Sequence, residues 1–362
     1  MSAAQGEHGA GDGMTVRISM ALATSHLGPL LDITRAAEEA GLDRVWTTEG
    51  FGGDGIVRAG HLLAHTSRIG IGTGIAYSFT RAPLAVAMAA ADLAELSGGR
   101  FALGLGAGTR GVRAKRFDAA GYDHPAPRTA EYVELVRAAL RSEGGLRFEG
   151  RFYQCDFPQL AMPQDAALRA GVPLYAAALN PAMLRAAARS CDGIALHSLA
   201  TAPAYLRDVV APAIAGTDRP KLAAWKICVV DEDPAAAADA VRRQLAFYFS
   251  TPSYHPVLAG TPWTGIAERI RDLATELRFR DWGPVAALVP DDMVAAYAVA
   301  GDPDSCAAQI AATAQRFGVA GVDELVLQLT SGGTPQQTRA NGLALVAAVQ
   351  RARPERTADA HL

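Results

Sequence analysis

Three side chains with acid–base capacity follow short apolar runs of this sequence: His26 after 16–23, Glu49 after 44–47 and His197 after 193–196. Histidine titrates near neutrality, so His26 or His197 could give a proton to a bound substrate. A carboxylate such as Glu49 could bond the polar edge of a ligand or serve as acid or base. Plainer uses compete with these. Glu49 could hold a helix dipole or a salt bridge, and a structural role is the expectation for His197.

Two further features suit an anion. Arg110, Arg113, Lys115 and Arg116 put four positive charges within seven residues. Such a lip fits a long anionic cofactor tail or an acidic substrate, although any one of the four could be a solvated loop charge. Asn180 and Pro181 specify a helix start, asparagine as the cap and proline in the first turn. Free backbone N–H groups there, beside Ala177 and Ala178, make an anion site; a plain cap with nothing bound is the alternative. A metal finds less support. Cys155, Cys191, Cys228 and Cys306 are scattered with no close pair, which points to a reduced cytosolic setting. His61 and His65 lie four apart on one helix but lack a third ligand.

The elements that position these residues alternate. Short apolar runs bounded by glycine at 16–23, 44–47, 69–75, 101–106, 174–178, 193–196, 221–230 and 324–330 predict eight strands. Between them, amphipathic stretches such as 30–40, 57–66, 84–96, 129–141, 181–189, 303–317 and 335–351 predict helices. Eight such units in 362 residues predict an α/β fold, a (β/α)8 TIM barrel with insertions after strands 4 and 7. The first insertion covers 107–128. The second, 235–299, is read as mostly helical and carries Phe247, Tyr248, Phe249, Tyr254, Trp263 and Trp282. A hairpin is expected near Glu149-Gly150. One barrel domain is expected over 14–352, with a disordered tail at 1–13 and a flexible one at 353–362. Active sites of such barrels lie at the C-terminal ends of the strands, where the residues above fall.

Half of the chain is hydrophobic and the net charge is −3, so no global field draws nucleic acid or an anionic membrane. The first residues lack the pattern of a signal peptide, and no long uncharged apolar run predicts a membrane span. Gly104-Leu105-Gly106-Ala107-Gly108 is not a dinucleotide fingerprint, because the spacing is wrong and no helix opens directly after it. Glycines at strand ends, Gly106 and Gly108 among them, either let a flat ring approach the backbone or serve tight barrel packing.

Gly70-Ile71-Gly72-Thr73-Gly74-Ile75, Arg81-Ala82-Pro83 and the block 96–106 together resemble the core signature of the luciferase-like monooxygenase superfamily. The block 173–181, with Cys191-Asp192-Gly193, is similar to methylenetetrahydromethanopterin reductase and its relatives, which use the deazaflavin coenzyme F420. The resemblance runs from about Val16 to Ala348, leaving the arm at 235–299 unmatched. It implies an F420-dependent oxidoreductase that passes a hydride between the deazaflavin and an activated C=C, C=N or C=O of a small-molecule or peptide substrate. The alternative is a monooxygenase using reduced FMN, and a barrel that has lost its cofactor is a third class. The resemblance further implies a cis peptide between Gly74 and Ile75 behind the cofactor ring. The cofactor phosphate would lie at Ala177–Ala178. The implied cofactor contacts are Thr73, Gly74, Ile75, Gly106, Gly108, Arg110, Ala177, Ala178 and Asn180, with Glu49 and His26 as catalytic candidates. Several relatives carry a histidine after the acidic residue; here Gly50 stands instead. A cytoplasmic homodimer is the family expectation.

Overall fold

The computed structural model describes residues 16–23, 26–50, 52–111, 122–330 and 334–353. Eight parallel strands close into a barrel: β1 (Arg17–Leu22), β2 (Arg44–Thr47), β3 (Gly70–Thr73), β4 (Phe101–Gly106), β5 (Leu174–Ala178), β6 (Gly193–Leu196), β7 (Lys221–Val230) and β8 (Glu324–Leu329). Consecutive strands pair, and β8 returns to β1 with Glu324 opposite Arg17 and Leu329 opposite Leu22. Both faces of each strand are covered, which is why runs such as Leu222–Val230 are apolar but for Lys226, whose buried ammonium donates to Ala296 O at 2.5 Å.

Helices surround the barrel. Pro83, Pro125, Pro181, Pro234, Pro303 and Pro335 each open one, because proline costs no hydrogen bond in a first helical turn. Helix α1 (Pro83–Ser97) stops at Gly98 in the left-handed conformation. The main core lies between these helices and the outward faces of the strands. A smaller cluster fills the lumen: Ala21, Trp46, Ala102, Tyr175, Ala195, Ala223, Trp225 and Val326. A third lies under the arm that follows β7.

Most strand limits agree with the sequence reading, with two differences. The third strand, expected as one run over 69–75, breaks after Thr73; the Gly74–Ile75 peptide is cis, and a short strand Ala76–Tyr77 resumes against β4. The arm is not helical to its end. After α2 (Pro234–Phe249), a 3-10 segment Pro252–Leu258 and further short helices, it returns as a strand, Ala298–Gly301, that pairs with Ile227–Val230 of β7. The hairpin is present as Leu146–Glu149 against Gln154–Phe157. The expected tails at 1–13 and 353–362, apart from the described Arg353, and 112–121 of the insertion after β4, fall outside the described residues. Among the described residues no helix is long and apolar enough to cross a membrane.

Candidate active site

Alternation along a strand decides which side chains enter the lumen. On β8 the inward series is Glu324, Val326, Gln328; on β5 it is Tyr175, Ala177; on β6 it is Gly193, Ala195 and then His197. Low in the barrel, Trp46 donates from Nε1 to Glu324 Oε1 at 2.8 Å, and Arg17 and Arg44 reach Glu324 at 3.1 and 3.6 Å. Trp46 meets the rings of Tyr175 and Trp225 at 5.2 and 5.3 Å. These bulky rings fit because their neighbours have no side chain. A Cβ on Gly72 would stand 2.6 Å from Trp46, one on Gly74 would stand 2.6 Å from Trp225, and one on Gly104 would stand 2.0 Å from the Thr73 carbonyl oxygen. Tight packing therefore accounts for much of the glycine pattern.

Toward the C-terminal mouth the glycines serve a different purpose. Ile75, just past the cis bond, lays its side chain over Gly106, where a Cβ would stand 2.8 Å from it and 3.3 Å from the Ala177 methyl. Ile75, Gly106 and Ala177 thus form one flat apolar floor across β3, β4 and β5. Beside it Tyr77 packs on Gly108, whose φ of +67° and closeness to the Tyr77 ring (2.9 Å from a built Cβ) exclude a side chain. Tyr122 donates to the Gly108 carbonyl at 2.7 Å, and Arg110 stacks on Tyr122 at 5.6 Å.

Other expected contacts are engaged elsewhere. The Thr73 side chain is fully buried; its hydroxyl donates to Gly104 O at 2.8 Å and accepts from Gly104 N at 2.9 Å, so it ties β3 to β4 and offers a ligand nothing. Ala178 faces the helix layer, as the alternation requires, and only its backbone borders the mouth. Asn180 caps α3 (Pro181–Ser190) by accepting from Met183 N at 3.0 Å, while Leu184 N donates to Asn180 O. Pro181 has no N–H, so Ala182 is the first-turn donor that the cap leaves over. Arg110 is exposed, and Arg113, Lys115 and Arg116 lie outside the described residues.

Glu49 is fixed as a salt bridge. Its oxygens accept from Arg81 at 2.7 and 3.0 Å and from the Tyr77 backbone N–H at 2.8 Å, with the side chain only 6% exposed. Arg81 also holds Asp54, the N-cap of the helix Gly55–Ala64. Burial works against charge at both groups. Even so, Glu49 and Asp54 raise the Arg81 pKa, and the Val57 N–H with Arg81 lowers that of Asp54. The network locks Tyr77 beside the floor. His26 is exposed at the start of the first helix, Leu27–Glu39, which it enters without a side-chain cap.

His197 stands one inward position beyond Ala195, which pairs with Ala177 of the floor. Its Nδ1 accepts from Leu199 N at 3.2 Å, so in the neutral ring the proton sits on Nε2. Two tyrosines of the arm enclose the imidazole: Tyr248 edge-on and Tyr254 tilted, both at 4.8 Å. Gln328 donates to the Tyr248 hydroxyl at 2.5 Å. The ring keeps part of its surface open, yet so much aromatic mass surrounds it that burial alone pushes its pKa down to about 4.

Residues 6–321 match the family model described as luciferase-like monooxygenase. The chain belongs to the luciferase-like monooxygenase family. An uncharacterised protein of Mycobacterium tuberculosis is 33% identical over 305 residues, covering 78% of this chain and 86% of that one. The 5,10-methylenetetrahydromethanopterin reductase of Methanolobus tindarius is 29% identical over 303 residues, again 78% and 86%. Among solved structures, the coenzyme F420-dependent tetrahydromethanopterin reductase of Methanopyrus kandleri superposes with a TM-score of 0.73 at 23% identity, covering 90% of this chain and 97% of that one; at that identity the likeness speaks for the fold.

In this luciferase-like barrel the structure gathers Gly74, Ile75, Gly106, Gly108 and Ala177 around one floor, with Asn180 at its edge. It withdraws the side chains of Thr73, Ala178 and Glu49. The arm's Tyr248 and Tyr254 and the Arg81 clamp were not singled out in the sequence as site residues. One signal could have promoted His197: it continues the inward series Gly193, Ala195.

Proposed function

We propose that the chain is a coenzyme F420-dependent oxidoreductase acting on an activated C=C, C=N or C=O of a small-molecule or peptide substrate. The observation that carries this reading is the flat floor of Ile75, Gly106 and Ala177, a surface that fits one face of a tricyclic ring. Similarity to a methylenetetrahydromethanopterin reductase over most of the chain supports it. When bound, the deazaflavin would supply or accept a hydride at C5. The chain's own part is to hold that ring by Ile75 and Ala177, to offer Ala182 N–H and Arg110 toward the anionic tail, and to exclude water beneath the arm. Glu49 serves by positioning Tyr77 through Arg81, and His26 is an exposed proton source at the rim. A cytoplasmic homodimer completes the reading.

Binding decides between cofactors. F420, followed by fluorescence, is expected to bind at least about tenfold more tightly than FMN, or about 1.4 kcal/mol. Ala177→Asp sets a carboxylate into the floor, where the ring would strip its water, and should weaken F420 at least about tenfold. Ala236→Asp, on the exposed surface of α2, is the control and should leave affinity unchanged. Tighter binding of FMN, with oxygen consumption on reduction, would overturn this reading in favour of a flavin monooxygenase.

A further inference from the structure

The mouth beneath the arm has its own chemistry, and the sequence reading, which weighed His197 as a proton donor, favoured a structural role for it. His197 lies two residues past Ala195, just beyond the end of β6, so its Cα stands up to about 7 Å beyond the level at which Ala177 and Ala195 pair. Its Nδ1 is occupied by the Leu199 N–H, and among the described residues Nε2–H meets no acceptor. The Tyr254 hydroxyl likewise finds no hydrogen-bond partner among them. Burial raises its pKa, and the phenols of Tyr248, Tyr77 and Tyr122 raise it further, so it stays a neutral donor. Those same neighbours put Tyr254 within electrostatic reach of Tyr77, which packs on Gly108 beside the floor. Tyr248, by contrast, already accepts from Gln328. Among the described residues no charged side chain contributes to the environment of His197, and the titratable groups in ring contact with it are the two tyrosines that enclose it.

Among the described residues two donors without acceptors therefore sit on neighbouring rings whose centroids are 4.8 Å apart, both half-buried and with no cation beside them. A donor left without an acceptor in such a place costs about 1–3 kcal/mol unless water or a ligand takes it up. An anion would have to shed its water for neutral donors only, which do not compensate its charge. A carbonyl or hydroxyl oxygen loses far less and can accept from both.

We propose that His197 Nε2–H and the Tyr254 hydroxyl form a substrate subsite for an uncharged oxygen, a ketone or secondary alcohol on an apolar body, and that the subsite rejects carboxylates and phosphates. The proposal deepens the oxidoreductase reading, because it places a substrate oxygen above the floor assigned to the ring.

The test uses two probes that share a six-carbon ring, cyclohexanone and cyclohexanecarboxylate, titrated into the full chain labelled with 15N-histidine, with and without F420. The ring nitrogens of His197, assigned by their loss in His197→Phe, should show a neutral Nε2–H tautomer and move saturably with cyclohexanone. The carboxylate should leave them in place. In His197→Phe and in Tyr254→Phe, cyclohexanone affinity read by tryptophan fluorescence should fall about three- to tenfold. F420 affinity should stay within about twofold in both, since neither residue lies in the floor. Carboxylate binding as tight as that of the ketone, a His197 signal that cyclohexanone does not move, or unchanged ketone affinity in both variants would each overturn the subsite. If His197→Phe fails to fold, Tyr254→Phe and the wild-type spectra decide the matter. Failure of F420 to bind the wild type sinks the cofactor reading alone, because the ketone titration is also run without it.

Discussion

The two ends of the barrel lumen treat polar groups in opposite ways. At the N-terminal end Glu324 is enclosed, and Arg17, Arg44 and the Trp46 indole all converge on it. At the C-terminal end His197 and Tyr254 retain donors that the described residues do not use. At the lower end ions of opposite sign face one another, although Arg44 Nε and Glu324 Oε2 lack a hydrogen bond; at the upper end the donors left over are neutral. Stability and readiness for chemistry are thus separated along one axis about as long as a strand.

The strongest way to break this contrast is to unbalance the lower end. Glu324→Gln keeps an acceptor for Trp46 but leaves Arg17 and Arg44 without their charge partner. Because Arg17 is about a third exposed, the loss should be near the lower limit for a buried pair, about 3 kcal/mol, read from urea unfolding. A loss below about 1 kcal/mol would mean that the lower end is no more demanding than the surface.

Next in size is the packing that joins the two ends. Gly104→Ala forces a methyl against the Thr73 carbonyl, a backbone atom that cannot swing aside, and should cost about 2–3 kcal/mol. Gly144→Ala, where a Cβ meets nothing among the described residues, is the matched control with little expected change. Equal effects would show that the glycine pattern does not reflect close packing.

The smallest effect sharpens the upper end. His197 is neutral in the folded chain because burial lowers its pKa from 6.5 to about 4. Protonation therefore favours the unfolded chain. The stability it contributes is complete above about pH 6.5 and is lost as pH falls toward 4, an effect of about 1–3 kcal/mol. His197→Phe should flatten the stability profile across that window relative to wild type. Parallel profiles would indicate a histidine already solvated and charged in the fold.

Much of this was legible in the sequence, for physical reasons that can be named. β2, β4, β5, β6 and β7 are apolar runs ended by glycine, proline or polar residues, and their limits agree with the structure to the residue. The floor was legible through Gly74, Ile75 and Gly106 because family resemblance and local spacing agree there. The side-chain engagements of Thr73, Ala178 and Glu49 were not legible, because inward or outward orientation, and a partner such as Arg81 thirty-two residues away, are set by register and tertiary contact. Tyr248 and Tyr254 are separated from His197 by about fifty residues of chain, and no local pattern announces that they meet.

The return strand Ala298–Gly301 has a consequence for the arm as a whole. β6 covers only Lys221–Ala224 of the long β7, and the arm's own strand takes over the same edge at Ile227–Val230. Without it, an apolar stretch with unpaired amides would project from the rim, the kind of edge on which chains aggregate. The arm is therefore no detachable ornament on a complete barrel. Excising it would expose a sticky seam, so any shortening compatible with a soluble chain must spare Ala298–Gly301 and trim only the segments before it.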